Sequence, residues 1–198
     1  MNSSKPSDQT KKIVVTGGPG SGKTCIILAL ERLGEHIVRE AATDHIMYMQ
    51  AQGIACPWEH DDFQIQIAQL QKFHESRIHS DAQRIFLDRG CHDGLAYLEP
   101  NSTNYKKVEQ ISQTSHYDLV FVVEPLDFTE KTVVRRENRE EAEALAKKFV
   151  TIYRQAGFEP IMIKPGPLVQ RVDAVMKEVK KHLDVTLPAR KSCKMLCY

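Results

Sequence analysis

An apolar run, "KIVVT" at residues 12–16, breaks into "GGPGSGKT" and resumes as "CIILAL". The spacing from Gly17 through Gly22, Lys23 and Thr24 is G-x-x-x-x-G-K-[ST], with a strand pattern before it and a helix pattern after it. A polyphosphate needs dense positive potential without bulky side chains. A glycine-rich loop entering a helix meets that need with backbone N–H groups and the helix's positive end. Gly17, Gly18, Pro19, Gly20, Ser21, Gly22, Lys23, Thr24 and Cys25 are therefore the expected phosphate cradle. Lys23 would face the outer phosphates, and the Thr24 hydroxyl would ligate magnesium.

Such a loop belongs between a parallel strand and its crossover helix, and the rest of the chain continues that rhythm. Short β-rich runs at 12–16, 36–39, 84–88, 117–123 and 159–163 alternate with longer helical segments, the mark of an α/β fold with a buried parallel sheet. Phe63, Ile67, Leu70 and Phe73 recur at helical spacing behind the capping candidates Asp61 and Asp62, and Leu168, Val172, Val175, Val179 and Leu183 do so again. Gly34 and Gly157 sit where left-handed C-terminal caps are expected. We expect a flexible segment at 1–11, one domain at 12–185, and a flexible basic tail at 186–198.

Composition removes several classes of function. The formal net charge of +1 gives no global field for nucleic acid. Five cysteines, with no C-x-x-C pair, fit neither a disulfide framework nor a zinc site, and point to reduced thiols. Neither a signal peptide nor a long apolar span is visible, so the expected location is the cytoplasm. In the tail, Cys193 and Cys197 stand beside Arg190, Lys191 and Lys194, which reads either as a disordered end or as a palmitoylated peripheral anchor.

Four further stretches carry charge where a phosphoryl group would be handled. "RIFLD" ends on Asp88, whose carboxylate could hold magnesium's water shell beside Thr24, and Arg89 next to it could clamp a phosphate; the alternative is a structural ion pair. Asp93 lies further on, either functional or a helix cap. Glu40, after "HIVR", could orient an acceptor hydroxyl or act as its base, or else be an exposed loop acid. "KTVVRRENREEAEAL" holds Lys131, Arg135, Arg136 and Arg139, a cationic lid or a solvated helix face. Trp58 either stacks on a ring-shaped acceptor or anchors a loop, and His92 is expected at the surface.

Taken in order, "GGPGSGKT", "VREAA", "FLDRGCHDGLAYL", "YDLVFVVEP" and "VRRENREEAEAL" resemble the NadR-like AAA domain family, which includes ribosylnicotinamide kinase and translocation-defect ATPase domains. The resemblance implies a three-layer, nucleotide-kinase-like P-loop NTPase fold with a central parallel sheet of about five strands. It also implies nucleotide at Gly17 to Thr24, magnesium near Thr24 and Asp88, and lid arginines near Arg135 and Arg139. No N-K-x-D or T-K-x-D tetrapeptide occurs, so ATP is the default donor, with GTP the alternative.

The expectation is a Mg-ATP-dependent kinase or ATPase acting on a small hydroxylated or nucleoside-type acceptor. Lys23, Glu40, Asp88, Arg89, Arg135 and Arg139 carry the reaction in a monomer or dimer that binds no nucleic acid. A nucleotide-gated regulatory protein with a protein or membrane partner at its tail is the competing reading.

Overall fold

The computed structural model describes residues 10–78, 82–126 and 139–183. Residues 1–9 of the expected flexible N-terminal segment, the whole expected tail 186–198 with Cys193 and Cys197, and Lys131, Arg135 and Arg136 of the expected lid lie outside these residues, whereas Lys11, expected in the flexible segment, opens the first strand.

Five parallel strands form one sheet, in the order β2, β3, β1, β4, β5. They are β1 (Lys11–Thr16), β2 (His36–Val38), β3 (Arg84–Asp88), β4 (Leu119–Val123) and β5 (Ile161–Ile163). Between and after them run α1 (Lys23–Arg32), α2 (Ala41–Ala51), α3 (Phe63–Ser76), α4 (Thr103–Ser112), α5 (Arg139–Gln155) and α6 (Leu168–Leu183). Short 3₁₀ turns occupy Pro57–Glu59 and Asp93–Tyr97.

The strands are apolar throughout because both faces are covered. Ile13, Val15, Phe86, Phe121 and Val123 pack on Ile26 and Leu30 of α1 and on Val172, Val175 and Val179 of α6. On the opposite face Val122 meets Phe149 and Ala146 of α5, Val108 of α4 and Ala68 of α3, while Val14 and Leu87 meet Tyr153. Alternate residues of one strand thus serve opposite layers, which gives the expected three-layer sandwich.

Boundaries shift where side chains replace ladder bonds. Residues 117–118 precede β4 because the Asp118 carboxylate accepts from the Lys12 N–H at 2.9 Å and from Lys11 Nζ at 2.9 Å. β2 stops before Arg39, whose guanidinium turns to Glu31. β5 begins at Ile161, not at residue 159. Asp62 takes the N-cap position of α3 without making a cap bond; its carboxylate accepts from Gln66 Nε2 at 2.7 Å instead. Gly34 and Gly157 adopt φ values of 91° and 88°, as C-terminal caps require.

The parallel register brings Val15 of β1 opposite Asp88 of β3, so both strands release their chains at one edge of the sheet. That edge carries the charged residues considered next.

Phe121, fully buried in the interior strand β4, should be costly to truncate, whereas Met162 on the edge strand is 38% exposed. We expect Phe121→Ala to lose about 3–5 kcal/mol in urea unfolding. Met162→Ala should lose less than about 1 kcal/mol.

Candidate functional site

Between Thr16 and Lys23 the chain turns close against β4. A Cβ at Gly17 would lie 2.7 Å from the Val123 carbonyl oxygen, so only glycine permits this path. Lys23 is the first residue of α1 and is buried, its Nζ donating to Asp88 Oδ1 at 2.8 Å. Burial raises the Asp88 carboxyl above its ordinary value, the Lys23 ammonium offsetting only part of that.

Thr24 and Cys25 are exposed at the start of the helix. The Ser21 hydroxyl is buried without a hydrogen-bond partner among the described residues, as a cradle shaped for a ligand would leave it. The hydroxyl of Thr24 and the carboxylate of Asp88 are hard oxygen donors, and so fit magnesium chemistry.

The sequence expectation for Asp88 and Arg89 divides here. Asp88 turns to Lys23, while Arg89 turns away, with φ at 73°, a left-handed conformation uncommon outside glycine. Two bonds hold that turn. The Arg89 N–H donates to the Val15 carbonyl at 3.1 Å, and Gln71 Nε2 donates to the Arg89 carbonyl at 3.1 Å.

The guanidinium that results pairs with Glu40, reaches Asp93 Oδ2 at 3.1 Å, and lies 5.7 Å over the Phe149 ring. Glu40 immediately precedes α2 and accepts from Thr43 Oγ1 at 2.8 Å. Burial pushes its carboxyl upward, but Arg89, Lys23 and Thr43 outweigh that and hold it below its ordinary value. Glu40 is therefore an ionised, part-buried carboxylate, not a solvated loop acid.

A cavity of about 270 Å³ opens beside this pair. Its polar lining includes Glu40, Arg89 and Asp93, and its apolar wall includes Trp58, Phe63 and Tyr97. Trp58 borders the cavity and is 51% exposed.

Residues 12–171 match the family described as AAA domain. The chain belongs to the AAA domain family. Among solved structures, a NadR protein in complex with NR aligns at TM-score 0.70 and 17% identity, covering 91% of this chain and 52% of that one. Thymidylate kinase from Ehrlichia chaffeensis aligns at TM-score 0.60 and 15% identity over 87% of this chain and 99% of that one. Deoxyadenosine kinase from M. mycoides, with products dCMP and dCDP, aligns at 0.57 and 16% over 86% and 98%. A search of curated protein sequences gave no significant match. The chain spans about half the length of the NadR chains it matches. At these identities the likeness establishes a NadR-like, P-loop nucleotide-kinase fold.

The sequence of this AAA domain left Asp93 open between a functional role and a helix cap, and did not single out Gln71 or Glu75. Asp93 is buried and makes no cap bond. It accepts from Thr16 Oγ1 at 2.5 Å and from Tyr153 Oη at 2.6 Å, tying the end of β1 to α5. Tyr117 Oη accepts from the Cys91 N–H at 2.9 Å and donates to Glu75 Oε1 at 2.9 Å, and Gln71 Nε2 also donates to Glu75 Oε1 at 3.3 Å. His92, expected at the surface, is buried among Tyr117, Tyr153 and Phe158, with ring centroids 5.3–5.8 Å away. Three aromatic partners from distant segments enclose it. Arg139 opens α5, so of the segment expected as a lid the described part is helical.

Burial pushes the His92 imidazole down from 6.5 to about 4. A base whose folded pKa is depressed stays neutral in the fold, while the unfolded chain protonates near 6.5. The stabilisation is complete above that value and is lost as pH falls toward 4. Between pH 7 and pH 5 this site should cost about 2 kcal/mol, read as the steeper fall of stability in wild type than in His92→Phe by urea titration.

Proposed function

We propose that this chain is a phosphotransferase that moves the terminal phosphoryl group of a magnesium-bound nucleoside triphosphate, by default ATP, to a hydroxyl of a small nucleoside-type acceptor. The observation that carries the reading is the meeting of two half-sites at one sheet edge. The Lys23–Asp88 pair stands at the phosphate loop, and the Glu40–Arg89–Asp93 cluster stands at the mouth of the apolar-walled cavity. The field of Lys23 reaches Glu40, so the halves are electrostatically one site.

At about 270 Å³ the cavity lies near the small end for ligand sites, which suits a nucleoside-sized acceptor. Its aromatic wall suits a planar ring. Neighbours of the same fold named for thymidylate and deoxyadenosine kinase activity support the same class.

In this reading the loop amides and Lys23 hold the polyphosphate, Lys23 exchanging Asp88 for the outer phosphates. Glu40, kept ionised by Arg89, accepts a hydrogen bond from the acceptor hydroxyl and aims its oxygen at the phosphorus. Its low basicity makes it an orienting group first and a proton acceptor as the bond forms. Arg89, fixed by Asp93, presents positive charge to the transferring group. Magnesium, held by the Thr24 hydroxyl and through water by Asp88, would supply further neutralisation of the phosphates.

Arg135 and Arg139 complete the proposal as cations of a closing lid. No helix among the described residues is long and apolar enough to cross a membrane, and we place the reaction in the cytoplasm.

Two variants test the halves separately. Lys23→Ala should abolish the rise in melting temperature that magnesium and triphosphate give the wild type. Unchanged affinity and turnover would remove the loop from the account. Glu40→Gln should keep triphosphate affinity within about threefold while lowering kcat by about 10²–10⁴-fold in an acceptor screen by coupled assay. Equal turnover in that variant would show that Glu40 plays no part.

A further inference from the structure

Behind the phosphate loop lies a cation that the proposed chemistry has not used. Arg171, in the first turn of α6, is only 4% exposed. Its Nη2 donates to the Ser21 carbonyl at 2.5 Å, across 150 residues of sequence. The contact is flush, since a Cβ at Gly22 would lie 2.7 Å from Arg171 Nη1. Its Nε is buried and has no hydrogen-bond partner among the described residues.

The other cations counted among the buried residues each hold a carboxylate: Lys23 has Asp88, and Arg84 has Glu35. Among the described residues no carboxylate pairs with Arg171. Burying a guanidinium unpaired costs several kcal/mol, and the first turn of a helix, with its positive end, makes the position worse for a cation. Burial accordingly pulls the Arg171 pKa down, with Cys25 opposing it. An arrangement that costs this much in the empty protein points to an anion that arrives later. The nearest backbone is the loop read above as the seat of a polyphosphate.

We propose that Arg171 is a positioning residue for the nucleotide, latching the phosphate loop through the Ser21 carbonyl while its charge is balanced by the bound polyphosphate. The inference rests on the phosphate-binding reading of the loop. It adds that α6, the last helix among the described residues, senses occupancy of that loop. Loop and helix are then coupled: the empty protein carries an uncompensated cation, and binding relieves it.

Calorimetric titration of the full chain with magnesium-ATP, alongside thermal melting of the empty protein, tests this. Wild-type protein must first bind ATP; if it does not, the reading of the loop falls and the latch with it. Given binding, Arg171→Gln, which removes the charge, should weaken ATP and ADP by about 10–100-fold. The empty variant should melt no lower than wild type. Arg171→Lys, which restores the charge but not the fork, should recover most of the affinity.

Unchanged affinity in Arg171→Gln would overturn the inference, and so would a lysine variant as weak as the glutamine one. A lower melting temperature with full affinity would overturn it too, marking Arg171 as merely structural. Should Arg171→Gln not fold, Arg171→Met carries the same comparison.

Discussion

A buried ion pair between the first residue of α1 and the last residue of β3 organises everything at this sheet edge. Neither charge is tolerable alone in that setting, where unpaired ions cost several kcal/mol. The pair exists because the parallel register of β1 and β3 sets Val15 opposite Asp88, so that strand and helix ends meet. Around it the charges alternate: Lys23 and Arg89 face Asp88, Glu40 and Asp93, two cations against three carboxylates. A polyphosphate entering such a set would meet net repulsion unless further positive charge arrived with it. Magnesium, Arg171 and the lid arginines are the sources the proposal assigns.

The proposed acceptor side depends on a backbone that would not hold unaided. A left-handed conformation at a residue such as Arg89 costs on the order of 1–3 kcal/mol. The bonds to the Val15 carbonyl and from Gln71 each return about 1 kcal/mol, which makes the turn tolerable. What the strain accomplishes is separation. An extended Arg89 would continue the alternation of β3, whereas the turn sends its guanidinium toward Glu40 and the cavity while Asp88 keeps Lys23.

Legibility in the sequence followed the range of each interaction. The phosphate loop is a local structure, fixed by glycines and a helix start within a few residues, and it could be read directly. The strands could be read because burial on both faces makes them continuously apolar. Their ends could not, since Asp118 replaces a ladder bond with its carboxylate. Helix α2, with only Ala41 fully buried, shows no apolar stripe and escaped notice. His92 was misplaced, and Asp93 was left open between a functional role and a helix cap, for a different reason. Their partners Thr16, Tyr117, Tyr153 and Phe158 come from three other segments of the chain, and no spacing rule connects residues 60 or 77 positions apart.

That contrast bears on how such a domain can change what it acts upon. The proposed donor half is built from one contiguous stretch plus Asp88, so most substitutions there would break the proposed phosphate cradle itself. The proposed acceptor half is assembled from α2, the turn holding Trp58, α3 and the segment after β3, elements that meet only in the folded state. Trp58, Phe63 and Ile67 can vary without touching the Lys23–Asp88 pair, because none of them bonds to it. Arg89 cannot vary alone, since its loss would leave the part-buried carboxylates of Glu40 and Asp93 without the cation they share. On the proposed function, acceptor identity is therefore free to drift on the apolar wall while the charged rim stays fixed by electrostatics.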